Sequence, residues 1–432
     1  MHITKQQNIG LFILKIFVVF GLIIIFIILS IYLKQNVLAK NTESKNVSES
    51  TKDYSTFSGY SKKIAMILEY KDKADMTLNP PAPDPYAYYP SWYADLKRIE
   101  KEYEEHAKAE KVVTPQTITP PQQQGTVDPN KTQFIAISFD GSKSLYMWET
   151  LVNHSRARKA TGKDIRFTFF VSGVYFTYDG NRAFYNPPRR SAGRSDIGVS
   201  DSRQDIATRV KWINTAFADG HEIASHANGH WDGASWSYDE WVQEFDEFDE
   251  LFLKSESNAG LPTTLNISKK DIVGFRAPLL AVNKDTYRAL VDTGHRYDAS
   301  GVASMTTWPW KDSFGIWHFP LASLRVGGYR SLSMDYNHFF LQTKAKSTAK
   351  RGTPEWGKYY SDVYNSYMNY FNTNYNGARA PLHIGHHFAL WNDGVYLQAL
   401  LDFADQVCDR EHVVCGTYTE LADMLDSGAL AP

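Results

Sequence analysis

The run GHEIASHANGH, residues 220–230, decides how the rest of the chain is read. Its first half, HEIAS, has the apolar centre of a short buried strand. Its second half leaves that strand through a polar turn carrying His226 and His230, four residues apart. Two imidazoles at this spacing can face one centre, and imidazole is a preferred donor for zinc and related divalent cations. The plain alternative is two satisfied loop histidines. The zinc-protease pattern His-Glu-x-x-His is not met, because the histidine after His221-Glu222 comes one residue too late, at His226.

Working outward, six more short apolar runs alternate with helical patterns: FIAISF (134–139), FTFFV (167–171), DIVGF (271–275), GIWHF (315–319), PLHI (381–384) and HVVC (412–415). The clearest helix covers 237–253, where Ser237 and Glu240 form a capping box and Trp241, Phe245, Phe248 and Phe252 mark one apolar face. Its many carboxylates read as a solvated face. Repeated strand–helix units predict an α/β domain, a deformed (β/α) barrel of about seven parallel strands, with polar residues gathered where the strands end.

The front of the chain differs. Residues 16–33, IFVVFGLIIIFIILSIYL, are uncharged and long enough to cross a bilayer once. The expected organisation is a tail and transmembrane anchor over 1–40, a Pro/Ser/Lys-rich stalk over 41–131 with one charged helix, and a single domain over 132–432. A retained anchor is favoured over a signal peptide, although Val37-Leu38-Ala39 offers a cleavage site that would make the protein secreted. Cys408 and Cys415 are the only cysteines. They read as a disulfide joining a helix end to a strand, which would persist in an oxidising compartment, or else as two buried thiols. The bulk of the chain is therefore expected outside the cytoplasm. A net charge of −2 leaves no footprint for nucleic acid.

Five polar clusters occur in order: Ser138-Phe-Asp-Gly141, His226-Ala-Asn-Gly-His230, Arg276-Ala-Pro278, Tyr297-Asp-Ala-Ser300 and Leu382-His-Ile-Gly-His-His387. With segments such as TFFVSGVYF, SWSYDEWVQEF, GFRAPLLAVNKDTYRALVDTGHRYDAS and APLHIGHHFALW, residues 134–425 resemble the polysaccharide deacetylases of carbohydrate esterase family 4, the NodB homology domain, and most of all its chitin-deacetylase-like branch. The resemblance implies hydrolysis of N-acetyl groups from an N-acetylglucosamine-containing polysaccharide. It implies a divalent metal, zinc or else cobalt or nickel, on His226 and His230. It makes Asp140 the base, Arg276 the residue that orients it, His387 the general acid ahead of His386 and His383, and Asp298 the carboxylate that tethers the acid. Pro278, Trp308 and Trp310 are the expected substrate-binding residues, since aromatic faces suit sugar rings. Residues 172–204, rich in arginine, form a long loop expected on the active face.

One position departs from the family pattern Thr-Phe-Asp-Asp-Gly. Gly141 stands where the second aspartate, a metal ligand, is expected. Water or a carboxylate such as Asp232 would have to replace it, and a weaker metal site follows. The alternative reading is a non-catalytic glycan-binding relative that has lost the metal.

Overall fold

The computed structural model describes residues 131–432. The apolar segment 16–33 and the stalk preceding residue 131 lie outside the described residues. Among the described residues no helix is long and apolar enough to cross a membrane.

The first strand, β1 (Gln133–Gly141), is buried along almost its whole length, as a strand covered on both faces must be. It is followed by β2 (Thr168–Val171), β3 (Glu222–Ser225), β4 (Gly274–Phe275) and β5 (Tyr297–Asp298), then by β6 (Val302–Ser304), β7 (Trp310–Lys311) and β8 (Trp317–His318). The hairpin of β9 (Leu321–Val326) and β10 (Tyr329–Leu332) precedes β11 (Leu382–His387) and β12 (Val413–Gly416). Nine strands form one sheet in the order β11-β1-β2-β3-β4-β5-β8-β7, with β12 beside the first half of β1. All of its pairings are parallel except that of β7 with β8. The seven runs expected from sequence are β1, β2, β3, β4, β8, β11 and β12. The remaining two strands, β5 and β7, are two residues long and fall outside those apolar runs.

The sheet curls strongly. Three strand spacings separate β4 from β1, roughly 14 Å along a flat sheet. Yet Arg276, directly after β4, reaches Ser138 and Asp140 of β1 at 2.8 Å. A second sheet, β10-β9-β6, spans the opening: it leads on from β5 through Gly301 and meets the outer edge of β11 through the Met334–Gly385 bridge. The architecture is a deformed α/β barrel.

The helices are α1 (Leu145–Lys159), α2 (Arg203–Ala218), α3 (Tyr238–Phe252), α4 (Ser255–Ala259), α5 (Lys284–Asp292), α6 (Asp335–Thr343), α7 (Pro354–Thr373), α8 (Trp391–Val407) and α9 (Tyr418–Asp426). Helix α3 begins at the expected Ser237–Glu240 capping box and buries Trp241, Phe245, Phe248 and Phe252. One of its carboxylates departs from the expected solvated face: Glu244 is fully buried. Cys408 and Cys415 are bonded, joining the end of α8 to β12 across 5.6 Å between Cα atoms.

Candidate active site

Asp140, His226, Arg276 and His387 all lie at or just past the carboxyl ends of parallel strands, where a β/α barrel exposes the backbone ends that position side chains. Backbone strain gathers in the same place. Ser142, Ala227, His230, Leu279 and Leu280 all have positive φ, a conformation that costs an L residue on the order of 1–3 kcal/mol and persists only when its surroundings enforce it. Asp140, His226, His230, Ala277, Leu279, Leu280, Met334, Tyr336, Asn337 and His387 line one narrow cavity of about 20 Å³, room for about one water. The expected 172–204 loop ends at residue 202, just before α2 begins, and residues 172–202 are an insertion between β2 and α2; a larger cavity of about 560 Å³ on its surface contains none of these cavity-lining groups.

The surroundings of Asp140 are built around Arg276. Its guanidinium donates to Asp140 and Ser138, to the Ala299 carbonyl at 3.0 Å and to the Tyr418 hydroxyl at 3.1 Å. It also lies 4.4 Å over the Phe170 ring. Asp140 is thus a buried carboxylate with one oxygen held by a charge-assisted hydrogen bond. Parallel pairing of β1 with β11 places His387 opposite Asp140 in register.

The surroundings of His387 correct one expectation. The tether of His387 is Asp335, at the start of α6: one of its oxygens accepts from His387 Nδ1 at 2.7 Å and the other from the His387 amide at 2.9 Å. Asp298 instead accepts from Ser300 and faces His318. The reason is topological, since β5 lies four strands from β1 while the α6 start is carried to β11 by the Met334 bridge. Burial pushes His387 down, but the charge and hydrogen bond of Asp335 outweigh it, with a smaller push from Asp140, and leave its pKa raised. Nδ1 is occupied, so Nε2 is the nitrogen free for the cavity. His386 is fully buried and bonds Tyr367 at 2.8 Å, and His383 is packed between Phe319 and Tyr418, so neither takes the place of His387.

Asp335→Asn therefore has a specific expected outcome. Without the carboxylate, the His387 imidazolium loses its main support. The alkaline limb of kcat against pH should move to lower pH, and kcat should fall by about 100- to 10,000-fold. An unchanged pH profile would remove Asp335 from this role.

The metal half fits in kind and is short in number. His226 and His230 have ring centroids 5.4 Å apart. Burial pushes both down, His230 to about 3, so both are neutral and able to donate a lone pair. His226 Nδ1 bonds the Arg276 carbonyl at 2.7 Å, the outer contact that commonly orients a metal-ligating imidazole through its other nitrogen. No group of three His, Cys, Asp or Glu suited to a metal occurs among the described residues. Asp232 is exposed and bonds the amide of Ala234, so it does not serve as the third. At Gly141 an added Cβ would meet nothing within 4 Å. His226 and His230 suit a borderline divalent cation such as zinc in kind, but they supply one protein donor fewer than a catalytic zinc site ordinarily has, so solvent would have to fill the remaining positions.

The expected substrate residues fare differently. Trp308 packs against the core cluster containing Phe134 and Tyr418, its indole bonding the Ala378 carbonyl. Trp310 stacks on His318 at the antiparallel edge of the sheet. Neither lines the cavity. Pro278 opens the turn Pro278–Leu280, and it is its successors Leu279 and Leu280 that form the wall. Met334, Tyr336 and Asn337 also line the cavity. None of these three belongs to any of the five polar clusters, so no motif marked them. The 172–202 insertion does border the histidine loop, through Gly173 to Ala227 and Asp196 to Gly229, both at 2.9 Å.

No family model and no curated protein matches this chain. Solved structures do. A protein assigned as a polysaccharide deacetylase from Mycobacterium smegmatis is 17% identical with a TM-score of 0.45, covering 74% of this chain and 97% of its own. The PuuE allantoinase is 14% identical at 0.42, covering 74% and 100%. A carbohydrate esterase family 4 pseudoenzyme from Bacillus anthracis is 11% identical at 0.35, covering 68% and 66%. Identities and scores this low leave the site's chemistry to its own geometry.

Proposed function

We propose that this domain is a metal-assisted hydrolase of carbohydrate esterase family 4 type. It removes N-acetyl groups from an N-acetylglucosamine-containing polysaccharide outside the cytoplasm, with residues 16–33 as the membrane anchor. One observation carries the reading: Asp140 and His387 oppose each other in register at one cavity with His226 and His230, each of the pair braced by its own buried partner. The Cys408–Cys415 bond suits an oxidising compartment.

In this reading His226 and His230 would hold a divalent cation, which would supply Lewis acidity at the site. Asp140, held by Arg276, takes a proton from water as its oxygen adds to the carbonyl carbon. His387, protonated through Asp335, gives its Nε2 proton to the nitrogen as the carbon–nitrogen bond breaks. Acetate and a free amine leave. Leu279, Leu280 and Met334 give the cavity apolar walls, and its present width admits about one water, so the acetyl group of a bound polymer would have to widen it.

Gly141 and the missing third donor favour a second reading, a glycan-binding relative without catalysis. Cobalt titration of the full chain separates the two. The first reading expects one cobalt per chain, lost in His226→Ala, and the second expects none. Gly141→Asp should tighten cobalt binding about 10- to 100-fold, on the scale of effects seen when metal-site surroundings change. Because φ at this position is +106°, it should also lower the melting temperature. Unchanged affinity would show that position 141 does not face the metal.

A further inference from the structure

We propose that Glu244 and Tyr185 are positioning residues, a buried clamp from outside the barrel that sets the spacing of His226 and His230; the inference rests on the metal-site reading above. The loop between the two histidines needs outside support. Ala227 has φ 49° and His230 φ 61°, so the loop holds two L residues in the left-handed region and would relax if released.

The clamp grips the middle of that loop. The amide of Asn228 donates to Glu244 Oε1 at 2.9 Å, and its side-chain amide donates to the Glu244 carbonyl at 2.8 Å. The amide of Gly229 donates to the Tyr185 hydroxyl at 3.2 Å, and that hydroxyl lies 3.0 Å from both oxygens of Glu244. Glu244 is 0% and Tyr185 1% exposed, so no solvent replaces these bonds if they are lost. The fit is close. A Cβ on Gly229 would come within 2.7 Å of the Tyr185 ring, and one on Gly173 within 2.0 Å of the Asn228 side chain.

Neither clamp residue lines the site cavity. Glu244 comes from α3 and Tyr185 from the 172–202 insertion, so the insertion has to be docked for the two imidazoles to converge. Burial raises Glu244 to about 8, so at neutral pH its carboxyl is matched in shape and charge by a glutamine amide. A clamp acting by geometry should therefore tolerate Glu244→Gln and fail in Glu244→Ala and in Tyr185→Phe, which loses only the hydroxyl.

The test uses the full chain and two readouts. Cobalt affinity should fall about 10- to 100-fold in Glu244→Ala and Tyr185→Phe, with an altered visible cobalt spectrum, and stay within a few-fold of wild type in Glu244→Gln. Hydrogen exchange of the metal-free protein should show the amides of Asn228 and Gly229 exchanging faster in the same two variants. Should Glu244→Ala not fold, Tyr185→Phe carries the test alone. Wild-type cobalt affinity and spectrum with unchanged exchange in folded Tyr185→Phe would overturn the clamp. If wild type binds no cobalt, the deacetylase reading fails, and exchange at Asn228 and Gly229 alone decides whether the clamp holds the loop.

Discussion

Arg276→Ala should be the most damaging single change in the domain. It removes one member of a buried ion pair and strands Asp140, Ser138, Tyr418 and the Ala299 carbonyl together. Breaking a buried pair from one side costs about 3–5 kcal/mol, because the remaining charge stays desolvated. The base also loses its orientation, and misplacement of a reacting group by about 1 Å costs on the order of 100-fold in rate. Lysine should not rescue either effect. One ammonium cannot reproduce the planar fork that serves acceptors on β1, after β5 and on α9 at once. Asp140→Asn keeps the shape and an acceptor for Arg276 but leaves that buried cation without its counter-charge, so it should also lose stability, though less than Arg276→Ala, while losing as much activity. Urea melts and acetate release measured on the three variants check this. A folded, active Arg276→Lys would contradict the account of the base.

Acid should unfold the domain well above the range in which carboxylates titrate. Burial pushes His295, His338 and His383 down to about 3, and His221 and His386 to about 4. These folded-state values lie below the unfolded value of 6.5, so folding excludes protons that the unfolded chain binds. The stability they contribute is present above pH 6.5 and is lost as pH falls below it. Each histidine accounts for about 1.4 kcal/mol per pH unit in that window. Five together approach roughly 7 kcal/mol per unit; the raised carboxyl of Glu244 works the other way by about 1.4 kcal/mol per unit, as does that of Glu222 to a smaller extent, and the net loss is still a large part of a domain's stability. Denaturant melts between pH 7.5 and 4.5 should show a steep loss beginning just below 6.5. His383 stacks between Phe319 and Tyr418 without a hydrogen bond on either ring nitrogen. His383→Phe should therefore shift the acid midpoint downward, and a flat profile in wild type would contradict the burial of these rings.

The barrel strands longer than three residues and the clusters at their ends were legible from sequence because each strand is an apolar run closed by a polar turn. Asp140, His226, His230, Arg276 and His387 sit where that pattern places them. What failed was pairing across the fold. Asp298 has the spacing expected of the acid's tether, but the curl of the sheet gives that place to Asp335, a residue in no motif whose position depends on the Met334 bridge to β11. Trp308 and Trp310 look like a sugar platform as residue types, and only the sheet edge and core cluster show where they go. Glu244 was the one miss with a local signal. It stands three residues after Trp241 and four before Phe248, on the helix's apolar face, where a carboxylate is buried and must be bonded.

The central claim is tested most directly by acetate release from the full chain, supplied with zinc, cobalt or nickel and offered chitin oligomers, peptidoglycan or poly-N-acetylglucosamine. The account predicts acetate with an equal yield of free amine from at least one of these polymers, abolished in Asp140→Asn and in His226→Ala. No acetate from any of them, with metal bound to the protein, would contradict it.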